Sequence, residues 1–282
     1  MTGTATAIAG TAAVTAAELE QPAVAELLAG ERLRSVSVES RLLLAAARMA
    51  LRDARARTDG PADDPDALGV VVATRHAGLQ DYAELFREGT DAERPRVRPA
   101  KGPQAGLTAP AAEISIRLPA AGPNATVCNG AVGGLDALRY AADRLAAGDA
   151  DAMLVCEVDL APAVLRRNAD DAPELQRAAV IVLQRDEVVQ ARATAPCMRV
   201  LAVATAFSPT DDAAAAQMRA REQALDEAGV SAADPLPASE RSVVAQLAAA
   251  AVHNAHGPRL VTAHEAGAAG AAVIQPERAR RR

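Results

Sequence analysis

Tryptophan is absent from this 282-residue chain, which has only two tyrosines, two phenylalanines and, in Lys101, a single lysine among 30 basic residues. With half of the residues hydrophobic but almost none aromatic, the core must be built from Ala, Val and Leu, which favours close packing of helix on sheet. The cysteines, Cys128, Cys156 and Cys197, are odd in number and lie in apolar or strand-like settings. Their spacing fits neither a disulfide framework nor a zinc site, which points to a reducing, cytoplasmic setting. The net charge of −6 comes with no basic face interleaved with aromatics, so nucleic acid is not an expected partner. No window has the length and apolarity of a membrane span, and residues 1–14 lack the basic stretch that opens a signal peptide. Three of the four histidines, His253, His256 and His264, fall close together, but no carboxylate or cysteine stands at ligand spacing and Pro258 interrupts them. We therefore expect no metal and no cofactor.

Apolar runs and helical periodicity alternate along the chain. Thr4 to Val14 reads as a first strand, Ala16 to Ala29 as a helix closed by Gly30, and Ser40 to Arg57 as an amphipathic helix with Leu43, Ala46, Ala47 and Ala50 on one face. After the polar loop Thr58 to Pro65, Leu68 to Ala73 is a continuous apolar run of strand length, as expected where both faces of a sheet are covered. Ala152 to Val158, Ala178 to Gln184 and Val200 to Phe207 read as further strands, and Ala213 to Gly229 and Glu240 to Val252 as helices. This alternation implies a layered α/β domain.

The densest signal runs from Gly122 to Gly148. Pro123 ends one segment, Ala125 to Cys128 reads as a short strand, and Asn129 to Gly134 is a glycine-rich elbow. Leu135, Leu138, Ala142 and Leu145 then recur at helical spacing. Whatever occupies the elbow faces the positive end of that helix. Gly122-Pro123, Gly134-Leu135-Asp136 and Gly148-Asp149-Ala150-Asp151, followed by Met153-Leu154-Val155, resemble the nucleophile elbow of the β-ketoacyl synthases of the thiolase superfamily. Aligned without a gap, the family's acyl-accepting cysteine falls on Ala131. In this the chain is similar to the chain length factors, the non-condensing paralogues that pair with a ketosynthase in aromatic and polyene polyketide systems.

The resemblance implies a thiolase-like α/β/α/β/α fold in a single domain, with a complete first half to about residue 190, a shortened second half over about 191–275 and a frayed arginine-rich tail at 276–282. It also implies that the strand Ala125, Thr126, Val127 and Cys128 pairs across a twofold axis in a homo- or hetero-oligomer. Asn129, Gly130 and Ala131 would keep oxyanion and substrate-binding donors although the thiol is lost. Cys128 is open to two readings, a small buried hydrophobe or a displaced nucleophile activated by the helix end or by His264. His264 is either a structural residue or the counterpart of a family active-site histidine, because Ala263 to Ala271 resembles the family's Gly-His-Leu-Leu-Gly-Ala-Ala-Gly-Ala phrase. Ala255-His256-Gly257 is a weaker echo of the family's other histidine motif, and the terminal glycine-rich strand has no equivalent. The resemblance implies a non-condensing subunit of a bacterial type II polyketide system, partnered by a ketosynthase and an acyl carrier protein and holding a polyketide thioester. The alternative is a repurposed enzyme of the same fold that cyclises, dimerises or transfers a carrier-bound polyketide.

Overall fold

The structure is a computed structural model that describes residues 6–58, 64–91, 99–160, 162–165, 176–191, 198–208, 212–236, 242–252, 257–265 and 268–276. Nine strands form one sheet in the order β3-β2-β4-β5-β1-β6-β9-β8-β7. They are β1 (Thr6–Thr15), β2 (Leu68–Thr74), β3 (Asn124–Val127), β4 (Ala152–Asp159), β5 (Arg177–Arg185), β6 (Met198–Phe207), β7 (Asp234–Pro235), β8 (Arg259–Glu265) and β9 (Ala268–Pro276). The helices in chain order are α1 (Pro22–Leu27), α2 (Val38–Thr58), α3 (Leu79–Thr90), α4 (Ala109–Arg117), α5 (Gly133–Ala147), α6 (Asp186–Ala191), α7 (Ala213–Ala228) and α8 (Val243–Val252).

The sheet repeats itself. β2 pairs in parallel with β3 and β4, and β5 is antiparallel to β4 and β1. In the second half β7 is parallel to β8, and β9 is antiparallel to β8 and β6. Superimposing the two patterns matches β1 to β6, β2 to β7, β4 to β8 and β5 to β9. No described strand corresponds to β3. The halves meet where Thr6, Ala7 and Ile8 of β1 pair antiparallel with Val200, Arg199 and Met198 of β6.

Three apolar clusters fill the spaces between layers. On the outer face of the first half, Leu42, Leu43, Ala46 and Ala50 of α2 and Ile114 of α4 pack on Val70, Val72, Leu154 and Val180. Between the halves, α5 and α8 bring Leu135, Leu138, Val244 and Leu247 against Val71, Val155, Ile181 and Ile274. Outside the second half, Ala216, Ala220 and Ala224 of α7 pack on Ala204, Ala271 and Val273. The result is the expected α/β/α/β/α layering, built with alanine where the layers approach most closely.

Several expectations need correction. The helix expected over Ala16 to Ala29 is a 3-10 turn at Ala16–Glu18, capped reciprocally by Thr15 and Glu18, followed by the six-residue α1. Pro22 causes the break, because it lacks the N–H needed to continue a preceding turn but suits a helix start. α3 (Leu79–Thr90) and the two-residue β7 (Asp234–Pro235) ahead of α8 are elements that the sequence did not indicate. The arginine-rich end and His256 lie outside the described residues.

Candidate functional site

The elbow begins at the sheet's edge, where β3 pairs with β2 alone (Ala73 opposite Val127). Asn129 is held at φ −122° and Gly130 at φ +52°, a left-handed value that costs glycine little. A 3-10 turn over Gly130–Val132 leads directly into α5, so Ala131 stands two residues before the buried pair Gly133 and Gly134. A Cβ on Gly134 would come within 2.6 Å of Glu157 Oε2 and 2.9 Å of Val243 Cβ. Glycine there lets α5 approach β4 and α8 closely.

Glu157 was not foreseen. It is the carboxylate in the otherwise apolar run Met153 to Val158 of β4, and that lone charge was the signal available. Its Oε2 accepts from Ser242 Oγ at 2.9 Å and from the Val244 N–H at 2.8 Å. Ser242 Oγ in turn accepts from the Ala245 N–H at 3.1 Å. Glu157 thus caps α8 and locks the two central helices at the foot of the elbow.

Two hollows adjoin this point. A constriction of about 10 Å³ is lined by Ala73, Thr74, Gly130, Glu157 and Ser242. A wider cleft of about 450 Å³ lies between the elbow residues Asn129, Gly130, Val132 and Asp136 and the second-half residues Thr205, Phe207, Ala268 and Ala269. Asn129 and Gly130 thus both line this cleft. The Asn129 side chain is partly committed, because its Nδ2 donates to Asp136 Oδ2 at 2.5 Å. Ala131 is partly buried in the turn itself.

Cys128 matches neither half of its expectation well. It is exposed in this chain, so it is not a buried packing residue. Its pKa is raised, first by desolvation and then by the nearby Glu39 carboxylate, the opposite of activation at a helix end. Cys156 is fully buried and burial pushes its thiol far up, which suits a packing role. Cys197 lies outside the described residues.

His264 belongs to β8, opposite Ala269 of β9. The phrase likened to a catalytic loop falls on two antiparallel strands, the end of β8 and the start of β9. Since Ala269 lines the cleft, the backbone of His264 lies one strand away from it. Among the described residues, no three His, Cys, Asp or Glu side chains are grouped so as to hold a metal ion, and no helix is long and apolar enough to cross a membrane.

Residues 5–167 match the model for "Beta-ketoacyl synthase, N-terminal domain", more than half of the chain. A comparison with curated proteins finds no match. Among solved structures, "The ishigamide ketosynthase/chain length factor" is 23% identical with a TM-score of 0.77, over 96% of this chain and 99% of that one. A type II PKS acyl-carrier protein in complex with its ketosynthase bound to the hexaketide is 14% identical with a TM-score of 0.75, over 98% and 100%. A β-ketoacyl synthase from Burkholderia phymatum STM815 is 15% identical with a TM-score of 0.71, over 98% and 100%. The family match includes β1 to β4 and the whole elbow, and the fold likeness extends over both halves: the chain belongs to the β-ketoacyl synthase family.

Proposed function

We propose that this chain is a non-condensing, chain length factor-like subunit that partners a ketosynthase in a bacterial type II polyketide system. The observation that carries this reading is Ala131, which stands in the turn before α5 at the place where the resemblance puts the family's acyl-accepting cysteine. A methyl group cannot attack a thioester, and Cys128 offers no substitute while its thiol is held protonated. The cleft beside the elbow remains, with room for part of an acyl chain. The outer side of β3, which no other described strand pairs, gives a partner somewhere to dock. In this role the chain shapes the space in which the ketosynthase extends a polyketide delivered on an acyl carrier protein.

The test combines the purified chain with acyl-carrier thioesters, in the presence and absence of the ketosynthase, and reads intact-protein mass. The expected result is no acyl adduct on this chain, with product forming only when a ketosynthase bearing its own cysteine is present. A stable adduct mapping to Cys128 would overturn the reading in favour of a repurposed enzyme.

A further inference from the structure

A second pocket, of about 290 Å³, opens where the start of α2, the end of β2, the first turn of α3 and the residues Leu160, Pro162 and Ala163 converge. It shares Thr74 with the constriction at the elbow, which in turn shares Gly130 with the cleft. The constriction has room for little more than a water molecule. The pocket is therefore separate from the cleft. Its size suits a small ligand rather than a solvent molecule.

Its lining combines an apolar wall with two carboxylates, Glu39 and Asp81, that make no ion pair among the described residues. Val38, Leu160 and Pro162 supply the wall, and Glu39 and Asp81 supply the charge. Glu39 is only 8% exposed. Its Oε1 accepts from Thr74 Oγ at 2.8 Å, but the one donor near Oε2 is the Gly78 N–H at 3.5 Å, at the outer limit of a hydrogen bond. An ionised carboxylate offers about four acceptor positions, so this buried group is under-satisfied. Asp81 makes no ion pair among the described residues and takes a hydrogen bond from its own N–H.

The neighbouring charges do not fill the gap. Glu84 is held by Lys101 at 2.5 Å and by Gln80 at 2.9 Å, and Lys101 also reaches Glu88 at 3.3 Å. Lys101 and Arg41 act on Asp81 only through space. Among the described residues, His76 is the one basic side chain lining the pocket. In keeping with this, burial raises the pKa of both Glu39 and Asp81, as it does for carboxyls facing a site that lacks a cation.

We propose that this pocket binds an organic ammonium ion, a protonated amine on a short apolar body. Two carboxylates and the lone pairs of Thr74 Oγ, whose proton is given to Glu39, supply acceptors for the N–H bonds of the ammonium. Val38, Leu160 and Pro162 cover its hydrocarbon part. A bare metal ion fits less well, because hard divalent cations need about six oxygen ligands and no metal-binding group of three stands among the described residues. The proposal does not depend on whether the chain condenses, shapes or merely binds polyketides.

Calorimetric titration of the purified chain, or of its complex if it is isolated as one, tests this with three probes of equal length at constant ionic strength. They are n-hexylammonium chloride, sodium hexanoate and 1-hexanol. Hexylammonium should bind saturably at one site, and the other two at least tenfold more weakly. The isosteric variants Glu39→Gln and Asp81→Asn should each weaken hexylammonium binding by about tenfold, as expected for removing a charged hydrogen-bond partner. Circular dichroism identifies variants that remain folded, and either one suffices for the comparison. Equal binding of all three probes, no binding of hexylammonium, or unchanged affinity in a folded variant would overturn the proposal.

Discussion

Glu39 illustrates how a single buried residue sets the behaviour of its neighbours. Its folded pKa lies above the ordinary value of 4.5, chiefly because burial disfavours the charged form. A carboxyl raised in this way holds its proton more tightly in the folded chain than in the unfolded one. Its contribution to stability is therefore greatest at low pH and declines as pH rises from about 4.5 through the raised folded value. Glu39→Gln removes the titration, so the variant should lose less stability than the parent between about pH 4.5 and neutrality in urea unfolding series; parallel curves would show that Glu39 ionises freely. The same substitution removes a negative charge that acts on Cys128. Alkylation of Cys128 by iodoacetamide should therefore be slow near neutrality in the parent and faster in Glu39→Gln. An unchanged rate would mean that desolvation alone sets the thiol. Neither effect was legible in the sequence, where Glu39 reads as one more polar residue at a helix start. Cys128 was misjudged because its strand was read one residue too far: β3 ends at Val127, and Cys128 follows it as an exposed residue.

At the scale of elements, legibility followed burial. β2, β4 and β5 are buried on both faces, so their continuous apolar runs marked them out, and α2 announced itself by its periodicity. β8 and β9 escaped because β9 is made largely of alanine and glycine, residues depleted in strands, and owes its conformation to burial between α5 and α7. α3 was missed although Leu79, Tyr82, Ala83 and Phe86 recur at helical spacing; none of its residues is buried within the described chain, with Tyr82 58% and Phe86 61% exposed. The elbow was the most legible element, since a strand, a glycine cluster and a helical repeat follow one another within 27 residues of sequence. Its glycines also make it fragile. Gly134→Ala would drive a methyl group into Glu157 Oε2 and Val243, where the carboxylate is fixed by two hydrogen bonds and cannot swing aside. We expect a loss of about 1–3 kcal/mol in unfolding free energy, as for other overpacked interiors. A variant as stable as the parent would show that α5 can shift away from α8.

For the whole molecule, the doubled sheet leaves its two edges unequal. The second half ends in the two-residue β7, too short to template another strand, whereas the first half ends in the four-residue β3, whose outer side pairs with no other described strand. Beside β3, α4 presents Ile116 at 77% exposure, and Leu107 just before that helix is 63% exposed. A bare strand edge flanked by exposed aliphatic side chains is the sort of surface that proteins cover. We therefore expect a stable dimer or hetero-oligomer, with an interface at or above about 1,600 Å². Light scattering on the chain coexpressed with its ketosynthase should give the mass of the assembly, and a folded, monodisperse monomer under those conditions would rule it out. The variant Ile116→Asp locates the contact. Ile116 packs against little within the chain, so the substitution should leave the fold intact, yet it places a charge where the partner would bury a hydrocarbon. If β3 and α4 form the interface, Ile116→Asp should weaken association by about tenfold or more. An unaltered assembly would place the interface elsewhere on the molecule and leave the edge of β3 to be protected by its shortness alone.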